Sequence, residues 1–180
     1  AWQARNGLDE RTLKINSEKI IDLILKSFEW NQYQYVHLYL PCLKKKEVDL
    51  WPLIDYFWEK EKHIKLVTNF IDAQKKLSCY SIDAKTTFHT NSLGILEPDI
   101  SSEIEINPEK IELIIVPLLA CDFAGNRLGY GKAYYDYLLK NCVRAQKIGV
   151  NYFEPSLNLF PIEDHRSEER RVGKECLRLC

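Results

Sequence analysis

The sequence predicts one α/β domain built on a mainly parallel sheet, and three observations predict it. The stretch KIELIIVPLLA, Lys110 to Ala120, is continuously apolar from Leu113, as a central strand covered on both faces must be. Segments with helical spacing alternate along the chain with short β-rich runs. A glycine-rich stretch, GNRLGYGKAYYDYLLKN from Gly125 to Asn141, follows the apolar run and passes into helical spacing near Ala133.

The elements read in order as follows. NSEKIIDLILKSF predicts a helix capped by Asn16 or Ser17, with Ile20, Ile21, Ile24 and Phe28 as its apolar stripe. YVHLYL, Tyr35 to Leu40, predicts a buried strand ending at Pro41. DLWPLIDYFWEKEK predicts a helix with Pro52 in its first turn, where the missing N–H costs little. HIKLVTN predicts the next strand, and KLSCYSI with AKTTFHT predicts two weaker strands paired as a hairpin. NSLGILEPD reads as loop, punctuated by Gly94 and Pro98. After the central strand come the helix AYYDYLLKNC and a final strand, QKIGVNYF.

Composition narrows the function classes. With 46% hydrophobic and 28% charged residues in 180, the chain can bury one ordinary core. A formal net charge of -1 leaves no general nucleic-acid footprint. No apolar run approaches the ~20 residues that span a bilayer, and the first residues lack the regions of a signal peptide. Cysteines stand at 42, 79, 121, 142, 176 and 180, with no Cys-x-x-Cys pair and no zinc spacing, so free thiols are expected. His37, His63, His89 and His165 show no metal spacing and read as structural or surface residues. RSEERRVGKEC, Arg166 to Cys176, resembles a translated sequencing adapter, so residues 166–180 read as a foreign tail and 1–165 as the domain.

The glycine stretch sits where open α/β sheets bind ligands, beyond the carboxyl end of a strand. Glycines allow close approach of backbone to an anion, and a helix N-terminus offers free N–H groups. Arg127 and Lys132 add positive charge. It is not a Walker A loop, because Asn126 and Ala133 stand where Gly and Ser/Thr are needed. Gly125, Gly129 and Gly131 also lack the spacing of a dinucleotide fingerprint. On composition alone, a structural turn and an anion site are equally open.

The longer string VPLLACDFAGNRLGYGKAYYDYLL, Val116 to Leu139, resembles the signature of the 5-formyltetrahydrofolate cyclo-ligase family. EVD at Glu47 to Asp49, LGILEP at Leu93 to Pro98, the N-terminal AWQARNGLDERTLKINSEKI and FPIEDH at Phe160 to His165 resemble further family segments. The chain departs from the family at Ala133 and Leu118, where glycine is usual, and at Thr68, where proline is common.

The resemblance implies a three-layer α/β/α domain akin to the ribose-phosphate isomerase and CoA-transferase folds. It implies conversion of 5-formyltetrahydrofolate to 5,10-methenyltetrahydrofolate with ATP as co-substrate and Mg2+. By the same resemblance, Arg127, Leu128, Gly129, Tyr130, Gly131, Lys132, Ala133, Tyr134 and Tyr135 would bind ATP. Tyr130 to Tyr134 would also touch folate, Glu47 would recognise the folate head, and Phe70 and Leu93 would line the pterin pocket. Lys132 and Tyr134 would serve the chemistry, and Asp136 would hold magnesium. Residue by residue, duller roles remain: Asp136 as a solvated first-turn acid, Glu47 as a helix-start acid, Tyr134 or Tyr135 as core. Arg166 stands where the family places a second magnesium aspartate, two further ATP-binding charges would precede Ala1, and the last family strand would be absent, leaving an open sheet edge. The expected partners are these small molecules alone, with no nucleic acid and no membrane, for a monomer in the cytoplasm or, with a longer N-terminus, the mitochondrion. Ala133 motivates an alternative, a non-catalytic folate- or nucleotide-binding relative.

Overall fold

In the computed structural model, residues 1–72, 74, 76–92, 94–131 and 133–155 are described, together with the backbone of 175–176. A short helix α1 (Trp2–Asn6) leads into α2 (Glu10–Ser27). Asp9 caps α2, accepting the Thr12 N–H at 2.8 Å. The helix therefore starts before the expected cap at Asn16 or Ser17. Ser17 lies inside it, buried, with its hydroxyl 3.0 Å from that of Tyr152. Ile20, Ile21 and Ile24 are buried as their spacing predicts.

Then follow β1 (Tyr35–His37), α3 (Trp51–Lys60, Pro52 in its first turn), β2 (Lys65–Ile71), β3 (Leu77–Ile82), β4 (Phe88–Thr90) and β5 (Leu96–Pro98). The carboxyl half contains β6 (Leu113–Pro117), β7 (Ala120–Cys121), β8 (Arg127–Leu128), α4 (Tyr134–Asn141), β9 (Gln146–Val150) and β10 (Glu175–Cys176). The main sheet runs β10-β9-β6-β1-β2-β3, parallel throughout except for β3 against β2. All five residues of β6 are buried.

Three local expectations change. KLSCYSI does not pair with AKTTFHT: β3 turns back on β2, from Leu66 opposite Ile82 to Ile71 opposite Leu77. Asp72 enforces that turn by accepting the Lys76 N–H at 2.8 Å. The segment read as loop supplies β5, which pairs with β4 instead. The β9 edge, expected to be open, pairs in parallel with Glu175–Cys176 of the tail.

Side-chain alternation in the strands builds two cores. Leu113 and Ile115 face α2 and α3, joining Val36, Leu53, Ile54 and Phe57. Ile114 and Val116 face α4, joining Val67, Leu138 and Leu139. Helices thus cover both faces of the sheet. Cys42, Cys79 and Cys142 are free and buried. Burial pushes the Cys79 and Cys142 thiols up to about 12, which keeps them protonated and unreactive. Cys121 is disulfide-bonded, a correction to the expectation of free thiols.

Candidate active site

The carboxyl ends of β1, β2 and β6 open into a cavity whose lining includes Tyr39, Glu47, Asn69 and Pro117. The glycine stretch closes over it. Its first part is a turn with an internal rationale. Asp122 Oδ1 accepts the N–H groups of Ala124 and Asn126 at 3.0 and 2.8 Å, and Oδ2 accepts from Asn126 Nδ2 at 2.8 Å. Gly125, at φ 83°, completes the reversal between β7 and β8. Of the two open readings, the turn is therefore right for Gly125.

The second part is wall. Arg127, Leu128, Gly129, Tyr130, Gly131, Ala133, Tyr134, Tyr135 and Asp136 all line the cavity. Gly131 has φ 78°, and a Cβ on Gly129 would meet Arg127 Nη1 at 3.3 Å. Backbone shape and side-chain crowding thus both call for glycine there. Ala133, the residue before α4, is also left-handed at φ 57°. An L-residue there is disfavoured by roughly 1–2 kcal/mol. Ala133→Gly should therefore raise the melting temperature by a few degrees, about 1 kcal/mol after glycine's greater unfolded-state entropy is counted. An unchanged or lower value in a thermal melt would show that the left-handed joint is not held in solution.

The cavity concentrates buried charge. Arg127 is 5% exposed and ion-pairs with Asp136, whose carboxylate lies in the first turn of α4. Glu47 Oε2 accepts the Cys42 N–H at 2.8 Å. Burial raises the Glu47 pKa, opposed by that N–H, the Tyr130 hydroxyl, Lys45 and Arg5. Burial and the nearby Glu47 carboxylate likewise push the Tyr130 phenol far above its ordinary range. Arg5 of α1 is 1% exposed and reaches across the fold to donate to the Tyr130 hydroxyl and the Leu118 carbonyl. Lys45 Nζ stands 5.3 Å from the centre of the Tyr130 ring.

Of the residues expected from sequence, Glu47 and the described part of Arg127 to Asp136 meet at one cavity. Phe70 does not line it. Its ring packs edge-on against Tyr80 at 5.8 Å, although Thr68, on the same face of β2, lines the cavity. Leu93 and Lys132 lie outside the described residues. Sequence reasoning missed Arg5, Tyr39, Lys45, Asn69 and Glu97. Glu97 lay within the quoted LGILEP string; it lines the cavity, is 2% exposed and accepts the Ile71 N–H at 2.9 Å.

A glycine loop joining strand to helix, an ion pair between buried Arg127 and Asp136, and a cavity at the carboxyl edge of a parallel sheet define an α/β domain with its candidate site where such sheets take ligands. Comparison with known proteins narrows that class. The sequence profile of the 5-formyltetrahydrofolate cyclo-ligase family matches residues 2–166. The chain is 34% identical over 131 residues to a probable 5-formyltetrahydrofolate cyclo-ligase of Schizosaccharomyces pombe, covering 72% of this chain and 63% of that one. It is 27% identical over 120 residues to the Escherichia coli K12 5-formyltetrahydrofolate cyclo-ligase, covering 66% of each. The solved structure of Aquifex aeolicus 5,10-methenyltetrahydrofolate synthetase superposes with a TM-score of 0.70 at 34% identity, covering 83% of this chain and 72% of that one. The chain belongs to the 5-formyltetrahydrofolate cyclo-ligase family.

Proposed function

We propose that this protein converts 5-formyltetrahydrofolate and ATP to 5,10-methenyltetrahydrofolate, ADP and phosphate, with magnesium. The carrying observation is that Glu47 and the Arg127-to-Asp136 wall line one cavity, so a pterin and a polyphosphate can be held together. The formyl oxygen attacks the γ-phosphorus and the bond to ADP breaks. N10 then attacks the activated formyl carbon and loses its proton, and the carbon–oxygen bond breaks to release phosphate. Such chemistry asks the protein mainly for positioning and charge neutralisation.

The residues supply those needs. Glu47 accepts N–H donors of the pterin. Arg127, the backbone around Gly129 and Gly131, and Lys132 receive phosphate charge. Tyr134, on the cavity wall, would contact the reacting groups. By the family resemblance, Leu93 would line the pterin pocket. Asp136 is one of three carboxylates lining the cavity, with Glu47 and Glu97, and no group of three metal-ligating side chains that could hold an ion together occurs among the described residues. That fits magnesium, which is commonly held by one or two carboxylates plus substrate phosphates. Bound with ATP, the ion would neutralise phosphate charge. Residues 1–165 form the enzyme domain, acting as a monomer in the cytoplasm with the ribose-phosphate isomerase-like architecture, and residues 166–180 are foreign to it.

The left-handed Ala133 favours a second reading, a relative that binds both ligands without turnover. One assay separates the two. The methenyl product absorbs in the near ultraviolet, and its absorbance should grow only when 5-formyltetrahydrofolate, ATP and magnesium are all present. Equal growth without ATP excludes the cyclo-ligase reading. Binding of both ligands with no growth selects the second.

A further inference from the structure

The ends of β1 and β2 carry a polar chain that the roles above leave unused. His37 closes β1 and is fully buried. Its Nε2 lies 2.9 Å from Asn69 Oδ1. Asn69, on β2, donates through Nδ2 to the Tyr135 hydroxyl at 3.2 Å. The Tyr135 ring in turn stands edge-on to the imidazole at 6.2 Å. Asn69 and Tyr135 line the cavity; His37 stands behind them.

The direction of each hydrogen bond follows from the inventory of donors. An amide oxygen only accepts, so His37 Nε2 carries the ring proton. His37 Nδ1 is buried without a hydrogen-bond partner, which suits a bare nitrogen. Reversing the amide would set Nδ2 against Nε2 and force the proton onto Nδ1, leaving a buried N–H with no acceptor, at a cost of about 1–3 kcal/mol. The Cys79 thiol, 4.0 Å from the same Oδ1, adds a second donor on that side. Burial lowers the His37 pKa to about 4, so the ring is neutral at neutral pH. The Tyr135 oxygen already receives Asn69 Nδ2–H, so its own hydrogen must point elsewhere.

We propose that His37 and Asn69 are positioning residues that fix the Tyr135 hydroxyl as a donor to an anionic phosphoryl oxygen in the cavity. The identity of that oxygen rests on the cyclo-ligase reading; the wiring does not. A donor aimed in advance needs no reorganisation as phosphoryl charge shifts, so its effect falls on kcat more than on folate binding.

Asn69→Asp keeps the shape and inverts the wiring, because a carboxylate accepts from both His37 and Tyr135 and draws the phenolic hydrogen inward. It should lower kcat by roughly tenfold to a hundredfold with little change in the folate KM. His37→Phe, which adds no buried charge, should lower kcat in the same sense, and His37→Gln, which restores a donor at similar reach, should recover most of the loss. In a Tyr135→Phe background, Asn69→Asp and His37→Phe should cost nothing further in kcat. Full multiplication of the losses in that background would overturn the relay and leave only a packing role. Nitrogen-15 NMR of the imidazole in the full chain tests the wiring without turnover: a protonated Nε2 with a bare Nδ1 supports it, and the opposite tautomer or a doubly protonated ring at neutral pH overturns it. If the wild-type chain gives no ATP-dependent product, the cyclo-ligase reading fails and the NMR result alone decides the relay.

Discussion

Asp136→Asn is expected to lower kcat/KM for the ATP-dependent reaction by about a hundredfold to a thousandfold, or ~3–4 kcal/mol of transition-state stabilisation. The substitution keeps the size of the side chain and an oxygen for Arg127, and removes one negative charge from the cavity wall. The Asp136 side chain is 27% exposed while that of Arg127 is 5% exposed, so the carboxylate is the half of the pair that can turn to a cation and its phosphates. Without the charge, the magnesium concentration for half-maximal rate should rise steeply. Circular dichroism should show a folded protein with a modest loss of stability, because asparagine still accepts from the guanidinium. Full turnover with an unchanged magnesium requirement would reduce Asp136 to a structural partner of Arg127.

Glu47→Gln is expected to act in opposite directions on binding and on stability. Losing a charged acceptor for the pterin should raise the folate KM by roughly tenfold to a hundredfold, the equivalent of a charge-assisted hydrogen bond of about 1.5–3 kcal/mol. Stability should move the other way. Burial raises the Glu47 carboxyl above the ordinary 4.5, so the folded protein holds that proton more tightly than the unfolded chain. Its contribution is fully present below the unfolded value and is lost as pH rises through the folded value. Glutamine does not ionise, so the variant escapes that loss. Its melting temperature relative to wild type should therefore climb as pH rises above the ordinary 4.5. A pH-independent difference would mean that Glu47 is not strained by its burial; an unchanged folate KM would remove it from substrate recognition.

That both residues could be named as candidates, and that they line one cavity, follows from each belonging to a continuous string, EVD or RLGYGKAYYD. The central strand was legible because an unbroken apolar run between turn signals must be covered on both faces, and a parallel sheet between helix layers does that. What stayed hidden depended on distance or direction. Arg5 meets Tyr130 and Leu118, 125 and 113 residues away, and nothing local marks a lone arginine for burial. The strand read as HIKLVTN runs on through Phe70 to Ile71, and the ring contact of Phe70 with Tyr80 depends on the pairing of β2 with β3, which no local pattern announced. The pairing of β3 followed the short Asp72 turn rather than its sequence neighbour β4. Asp9 outcompeted Asn16 as the cap because apolar spacing marks the buried face of a helix, not its first turn.

The long reach of Arg5 bears on the order in which the protein matures during synthesis. Residues 1–6 leave the ribosome well before the positions their guanidinium is anchored to, 118 and 130. A five-residue helix has no stability of its own, so α1 must wait in solvent until more than a hundred further residues have been made. The pocket wall is then fastened by a segment made long before it, and a partly translated chain carries Glu47 without the cavity around it.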